Sequence, residues 1–171
     1  MNLKDLNIEI SFLDSTISFN NVDIVVHNKI SLNNKMSFIS DVINFSIDAN
    51  RFSNDVTVRA YFTLCILKYY TNLELTEEEF LNPADTYDLI VESGLYDIIT
   101  SKIDKNELSI VTEMLYKTLD NIYKYNDSIL GLIDALNEKY ESLNLDLEKI
   151  SETLGDPKQI GLLKDIVTKL G

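Results

Sequence analysis

Apolar and polar positions alternate in two places near the start of the chain. Over Asn7–Leu13, Ile8, Ile10 and Phe12 interleave with Asn7, Glu9 and Ser11, the period of a half-buried strand. Ile17 and Phe19 continue the alternation up to Asn20-Asn21, and the β-rich run Val22-Asp23-Ile24-Val25-Val26 follows. Asparagine tolerates the left-handed backbone of a tight turn, so this pattern predicts a β-hairpin folded at Asn20-Asn21. From there the period becomes helical. Ser31 is placed to cap a helix over 32–47 whose apolar positions Leu32, Met36, Ile39, Ile43 and Ile47 recur at spacings of four and three. A polar stretch over 48–55 breaks it. The next run, Val56–Asn72, is apolar on almost every face, which predicts a central helix buried on all sides.

Shorter helices follow. Thr76 and Glu79 form a capping-box pattern, and Glu77, Glu78 and Glu79 suit the positive end of a helix dipole. Asn82-Pro83 reads as a second cap ahead of a helix running to about Glu92, which buries Tyr87, Ile90 and Val91 and stops at Gly94. Another short helix is expected through Leu95, Ile98, Ile99 and Ile103. Asp104 with Glu107 repeats the capping-box spacing.

Beyond it an apolar seam runs through Leu108, Val111, Leu115, Leu119, Ile122, Asn126, Ile129, Ile133, Leu136, Tyr140, Leu143, Leu147 and Ile150. From Leu119 the steps alternate three and four, as in a helix packed along another helix. A continuous helix over 105–152 would be about 72 Å long at ~1.5 Å per residue. Asn126-Asp127-Ser128 and Gly131 allow a break, so one long or gently broken helix is weighed against a compact hairpin; Asn126 alternatively fixes the register of a coiled coil. Gly155-Asp156-Pro157 closes the segment. The last helix presents Ile160, Leu163, Ile166, Val167 and Leu170 on one face. The expected fold is mainly α (α+β): an N-terminal β-hairpin and helical core over 1–103, then a long C-terminal helical arm and terminal helix over 104–171.

The charge sharpens this picture. The 171 residues carry 15 basic and 28 acidic side chains, net −13. Residues 1–60 hold five basic and seven acidic groups, net −2, which leaves ten and twenty-one, net −11, for residues 61–171. Such a field repels a nucleic-acid backbone, whose binding needs Lys and Arg to release counterions. Direct nucleic-acid contact is therefore not expected. Neither a signal peptide nor an apolar run of membrane-spanning length is evident, so no membrane contact is expected.

Candidate chemistry is sparse. One cysteine, Cys65, excludes an intrachain disulfide framework, and its apolar surroundings make it a core thiol. One histidine, His27, has no metal-ligand spacing around it. No phosphate-binding glycine loop, nucleophile elbow or metalloprotease motif occurs. No cofactor or catalytic residue is assigned, and a non-enzyme is expected. Nine tyrosines suit half-buried contact surfaces instead.

Several stretches together carry a resemblance: Ile17–Val26, then Met36-Ser-Phe-Ile-Ser-Asp-Val-Ile43, Tyr61-Phe-Thr-Leu-Cys-Ile-Leu-Lys-Tyr-Tyr-Thr-Asn72, Asp85-Thr-Tyr-Asp-Leu-Ile90, and a helical tail ending near Asp156-Pro-Lys. The chain resembles small proteins encoded among the head and tail genes of tailed phages and prophages of low-GC Gram-positive bacteria. The Leu/Tyr-rich seam of 108–150 departs from the more alanine-rich tail of those relatives and points to a different partner there. The resemblance implies a virion structural or morphogenesis protein: a head, neck or tail component, or an assembly chaperone. It would act in the virion or the bacterial cytoplasm, by contact with other phage structural proteins and with itself. The expected interface comprises Ile122, Asn126, Ile129, Ile133, Leu136, Tyr140, Leu143 and Leu147 of the seam, with Ile160, Leu163 and Val167 of the last helix. The rival reading is a small acidic inhibitor that binds a host defence or nucleic-acid-processing protein.

Overall fold

A computed structural model describes residues 13–47, 54–128 and Gly131. The described residues are mostly helical with an N-terminal antiparallel hairpin, as the patterning predicts. Strands β1 (Asp14–Phe19) and β2 (Val22–His27) pair from Asp14↔His27 to Phe19↔Val22. Asn20 and Asn21 form the connecting turn at φ 50° and 63°. Both central residues of a two-residue loop lie in the left-handed region, whose twist matches that of the strands. Ile17 and Ile24 face each other across the pair and are buried, as is Val26. The alternating run over 7–12 lies outside the described residues.

Six helices follow among the described residues: α1 (Leu32–Ser46), α2 (Asp55–Tyr70), α3 (Glu77–Leu81), α4 (Pro83–Glu92), α5 (Leu95–Thr100) and α6 (Lys105–Asn126). The Ser31 hydroxyl caps α1 by accepting from the Asn34 N–H, and the Asn54 side chain caps α2 through the Val56 N–H at 2.8 Å. Helix α2 is the centre of the core, with nine of its sixteen residues buried. It packs against α1 on one side and α4 on another. After α2, Thr71 bridges to Val26 and the Asn72 side chain accepts from the Val25 N–H, so the chain adds to the free edge of β2. The Thr76–Glu79 capping box forms in full at the start of α3. Gly94, at φ 73°, takes the left-handed turn between α4 and α5.

Several local expectations are corrected. Helix α1 buries Phe38, Ile39, Val42 and Ser46, while Leu32 and Met36 are 63% and 60% exposed. The buried stripe is rotated because the Phe38 ring enters an aromatic group with Phe62, Tyr69 and Tyr70, at centroid distances of 5.2–6.2 Å. Asn82 makes no side-chain cap for α4; its amide donates back to the Glu78 carbonyl, closing α3 instead. Tyr87 and Val91 are half-buried rather than buried, with Thr86 and Ile90 taking the inner positions. In α5, Ile99 is buried and Ile98 is exposed.

The chain divides into two compact units, 1–115 and 116–171. The first takes in the opening turns of α6, where Glu107, Val111 and Leu115 are buried. In the second, α6 ends at Asn126, and the Asp127 and Ser128 N–H groups donate back to Tyr123 and Tyr125. Helix α6 carries the seam from Leu108 to Asn126; whether the seam over 105–152 is one helix or a hairpin falls outside the described residues. Gly131 lies so near the Tyr125 carbonyl that a Cβ there would collide with it.

Candidate functional site

Two constructions in the first unit bring chemistry-bearing side chains together. One is a buried ionic centre. Asp104 caps α6, its Oδ1 accepting from the N–H groups of Asn106 and Glu107 at 2.9 and 3.1 Å. These hydrogen bonds favour the charged form and hold the Asp104 carboxyl below the usual carboxylate range. The return half of the expected capping box is missing, because the Asp104 N–H donates to the Asn28 carbonyl. Glu107 instead turns into the core and is 3% exposed. Its Oε1 accepts from the Ile30 N–H at 3.1 Å and the Tyr70 hydroxyl at 3.2 Å. Its Oε2 lies 2.9 Å from Lys35 Nζ, which also donates to the Ile30 carbonyl at 3.1 Å. Burial, with the Glu107 carboxylate beside it, raises the Tyr70 phenol above its ordinary range, so it stays a proton donor. Every polar atom of the centre is satisfied, and it joins the hairpin exit, α1, α2 and α6. Its geometry is that of a lock on the fold.

The second construction is an open cleft of about 660 Å³ between α1, α2 and α3. Its walls are Phe45 of α1, Tyr61 and Lys68 of α2, Leu73, Glu74 and Leu75 of the loop, and Glu77, Phe80 and Leu81 of α3. Phe45 stacks on Tyr61 at 5.4 Å and lies 5.3 Å from Phe80. The Tyr61 hydroxyl donates to the Phe80 carbonyl at 3.2 Å, which fastens α3 to α2. Lys68 Nζ sits over the Tyr69 and Phe80 rings at 5.2 and 5.4 Å and pairs with Asp41 Oδ2 at 2.7 Å. The Tyr69 hydroxyl donates to the same oxygen at 2.8 Å. Cys65 is wholly buried, and burial, with the Asp41 carboxylate second, pushes its thiol up to about 12. A thiol held neutral in this way is no nucleophile.

Other expected residues fall elsewhere. His27 Nδ1 lies 2.7 Å from Asp14 Oδ1 across the hairpin, a surface pair. Among the described residues, no group of three His, Cys, Asp or Glu side chains is placed to hold a metal ion. None of the described helices is long and apolar enough to cross a membrane. Of the expected interface, Ile122 and Asn126 are half-buried on α6. Ile129, Ile133, Leu136, Tyr140, Leu143, Leu147, Ile160, Leu163 and Val167 lie outside the described residues. The cleft and the ionic centre were not legible as units, because each gathers residues from three or more elements. In the sequence, Phe45 stands off the Leu32–Ile47 stripe of α1, the one local feature that bears on the cleft. No protein-family model, curated protein or solved structure matches the chain.

Proposed function

We propose that the protein works by protein–protein contact as a phage virion structural or morphogenesis component, without catalysis. The observation that supports it is the amount of large apolar side chain left at the surface. Leu32 and Met36 line one outward face of α1, and Phe45 and Leu81 flank the cleft at 47% and 72% exposure. Scattered single apolar residues are ordinary on a surface, but residues four apart on one helix face form a strip suited to a partner. The resemblance to head- and tail-region proteins supplies the setting. The uninterrupted three-four spacing from Leu119 to Leu147 supplies the reading that one of the partners is a second copy.

Light scattering of the full chain across concentration tests the self-association. A discrete species well above 19.6 kDa that dissociates in Leu136→Glu is the expected result. A monomer at every concentration, with partner binding unchanged by Leu136→Glu, would remove the seam from the account. A monomer that binds a basic host protein with steep salt dependence would favour the acidic-inhibitor reading.

A further inference from the structure

Resting on the reading that the protein works by contact, we infer that the cleft between α1, α2 and α3 receives a segment of a partner protein bearing an aromatic or large aliphatic anchor flanked by lysine or arginine. The argument begins with charge. Lys68, the cationic group in the cleft wall, is already neutralised by Asp41 at 2.7 Å. Glu74 and Glu77, both exposed on the rim, make no ion pair or side-chain hydrogen bond among the described residues. The mouth of the cleft is therefore negative by two uncompensated carboxylates, while the rings of Phe45, Tyr61 and Phe80 make up its aromatic wall.

Shape selects the class of occupant. An anchor of one or two side chains fits about 660 Å³, and the cleft opens to solvent, with Phe45 half-exposed and Leu81 mostly exposed in its lining. An occupant whose chain continues past the rim would cover both residues. Offset and tilted rings are a surface on which aromatic and aliphatic anchors gain most of their binding energy. Flanking cations meet Glu74 and Glu77, whereas the same carboxylates repel an anionic lipid surface or a nucleic-acid backbone. The Phe80 side of the wall is held in place. The Tyr61–Phe80 hydrogen bond and the Thr76–Glu79 capping box fix α3 before any partner arrives, so little ordering cost attends binding.

The test is selection from a displayed random-peptide library on the full chain, followed by binding of the enriched synthetic peptides. The comparison proteins are Glu74→Lys/Glu77→Lys and Phe45→Ser, each checked for an unchanged circular dichroism spectrum. The expected peptides carry Phe, Tyr, Trp or Leu with Lys or Arg within a few residues. They lose about tenfold in affinity on the charge-reversed protein, and the loss shrinks at high salt. They also weaken on Phe45→Ser. Peptides without basic residues, peptides that bind the variants as well as the parent, or no cleft-dependent enrichment would overturn the inference. A chain that assembles with particle proteins yet fails this selection sinks the cleft inference alone. Cleft-dependent basic peptides on a chain that joins no particle component sink only the virion reading.

Discussion

Replacing Lys35 with methionine is expected to destabilise the first unit far more than the loss of an ordinary surface lysine would. Methionine preserves most of the aliphatic stem, so the change isolates the ammonium group. Its loss leaves the Glu107 carboxylate, 3% exposed, with only the Ile30 N–H and the Tyr70 hydroxyl as partners. Breaking a buried pair by removing one member costs about 3–5 kcal/mol, because a buried charge is left uncompensated. Lys35 retains 15% side-chain exposure, which admits some water and places the effect at the lower end, about 3 kcal/mol. For a unit of this size that corresponds to a fall in Tm of roughly 10 °C. Glu107→Gln should cost a comparable amount by stranding the ammonium. The double variant Lys35→Met/Glu107→Gln keeps an oxygen for Ile30 and Tyr70 and removes both charges, so its loss should fall short of the sum by more than about 1 kcal/mol. Urea unfolding of the four proteins at pH 7 measures this cycle. Single-variant losses under about 1 kcal/mol, or strict additivity, would refute the claim that the pair locks the fold.

Three further outcomes follow from the same geometry. Cys65, Tyr69 and Tyr70 all hold their protons more tightly when folded than ordinary thiols and phenols do. The Cys65 contribution is therefore fully present below about pH 8.5 and is lost as pH rises toward 12, whereas those of Tyr69 and Tyr70 stay in full below about pH 10 and fall only above it. Urea midpoints measured between pH 8 and 10.5 should fall, and Cys65→Ala should flatten the first part of that fall; an unchanged slope would contradict the burial of the thiol. Asn20→Val/Asn21→Val forces β-branched residues into left-handed backbone and should cost about 1–2 kcal/mol per residue, read from thermal unfolding. Loss of the Thr76 hydroxyl in Thr76→Ala removes half of the α3 capping box and should cost about 1 kcal/mol, with faster amide exchange confined to α3 and its flanks.

What could be read in advance follows the range of the interaction concerned. The hairpin turn was legible because left-handed backbone selects asparagine locally, and α2 because a helix apolar on every side has only one place to go. The Thr76–Glu79 box was legible because both partners lie within one turn. The face of α1 was not. Leu32, Met36, Ile39 and Ile43 form a stripe of helical spacing, as do Lys35, Phe38, Ile39, Val42 and Ser46. The choice was made by rings on α2 and by Glu107, none of which is near in the chain. Asp104 and Glu107 depart from their local pattern for the same reason. Their spacing is that of a capping box, yet the glutamate is drawn to an N–H 77 positions away. The cleft has no local signature because Phe45, Tyr61 and Phe80 belong to three helices and converge only in the fold. An apolar stripe with two equivalent registers is decided by its partner, so the stripe that loses the core becomes the one available to others. Leu32 and Met36 occupy that position here.

The central claim, that the protein acts by contact within a phage particle or its assembly, is tested most directly by quantifying the chain in particles purified from producing cells and in their assembly intermediates. The account predicts either many copies per finished particle or a stable complex with one head or tail protein before completion. Absence from both, with all of the protein free or bound to a host protein, would contradict it.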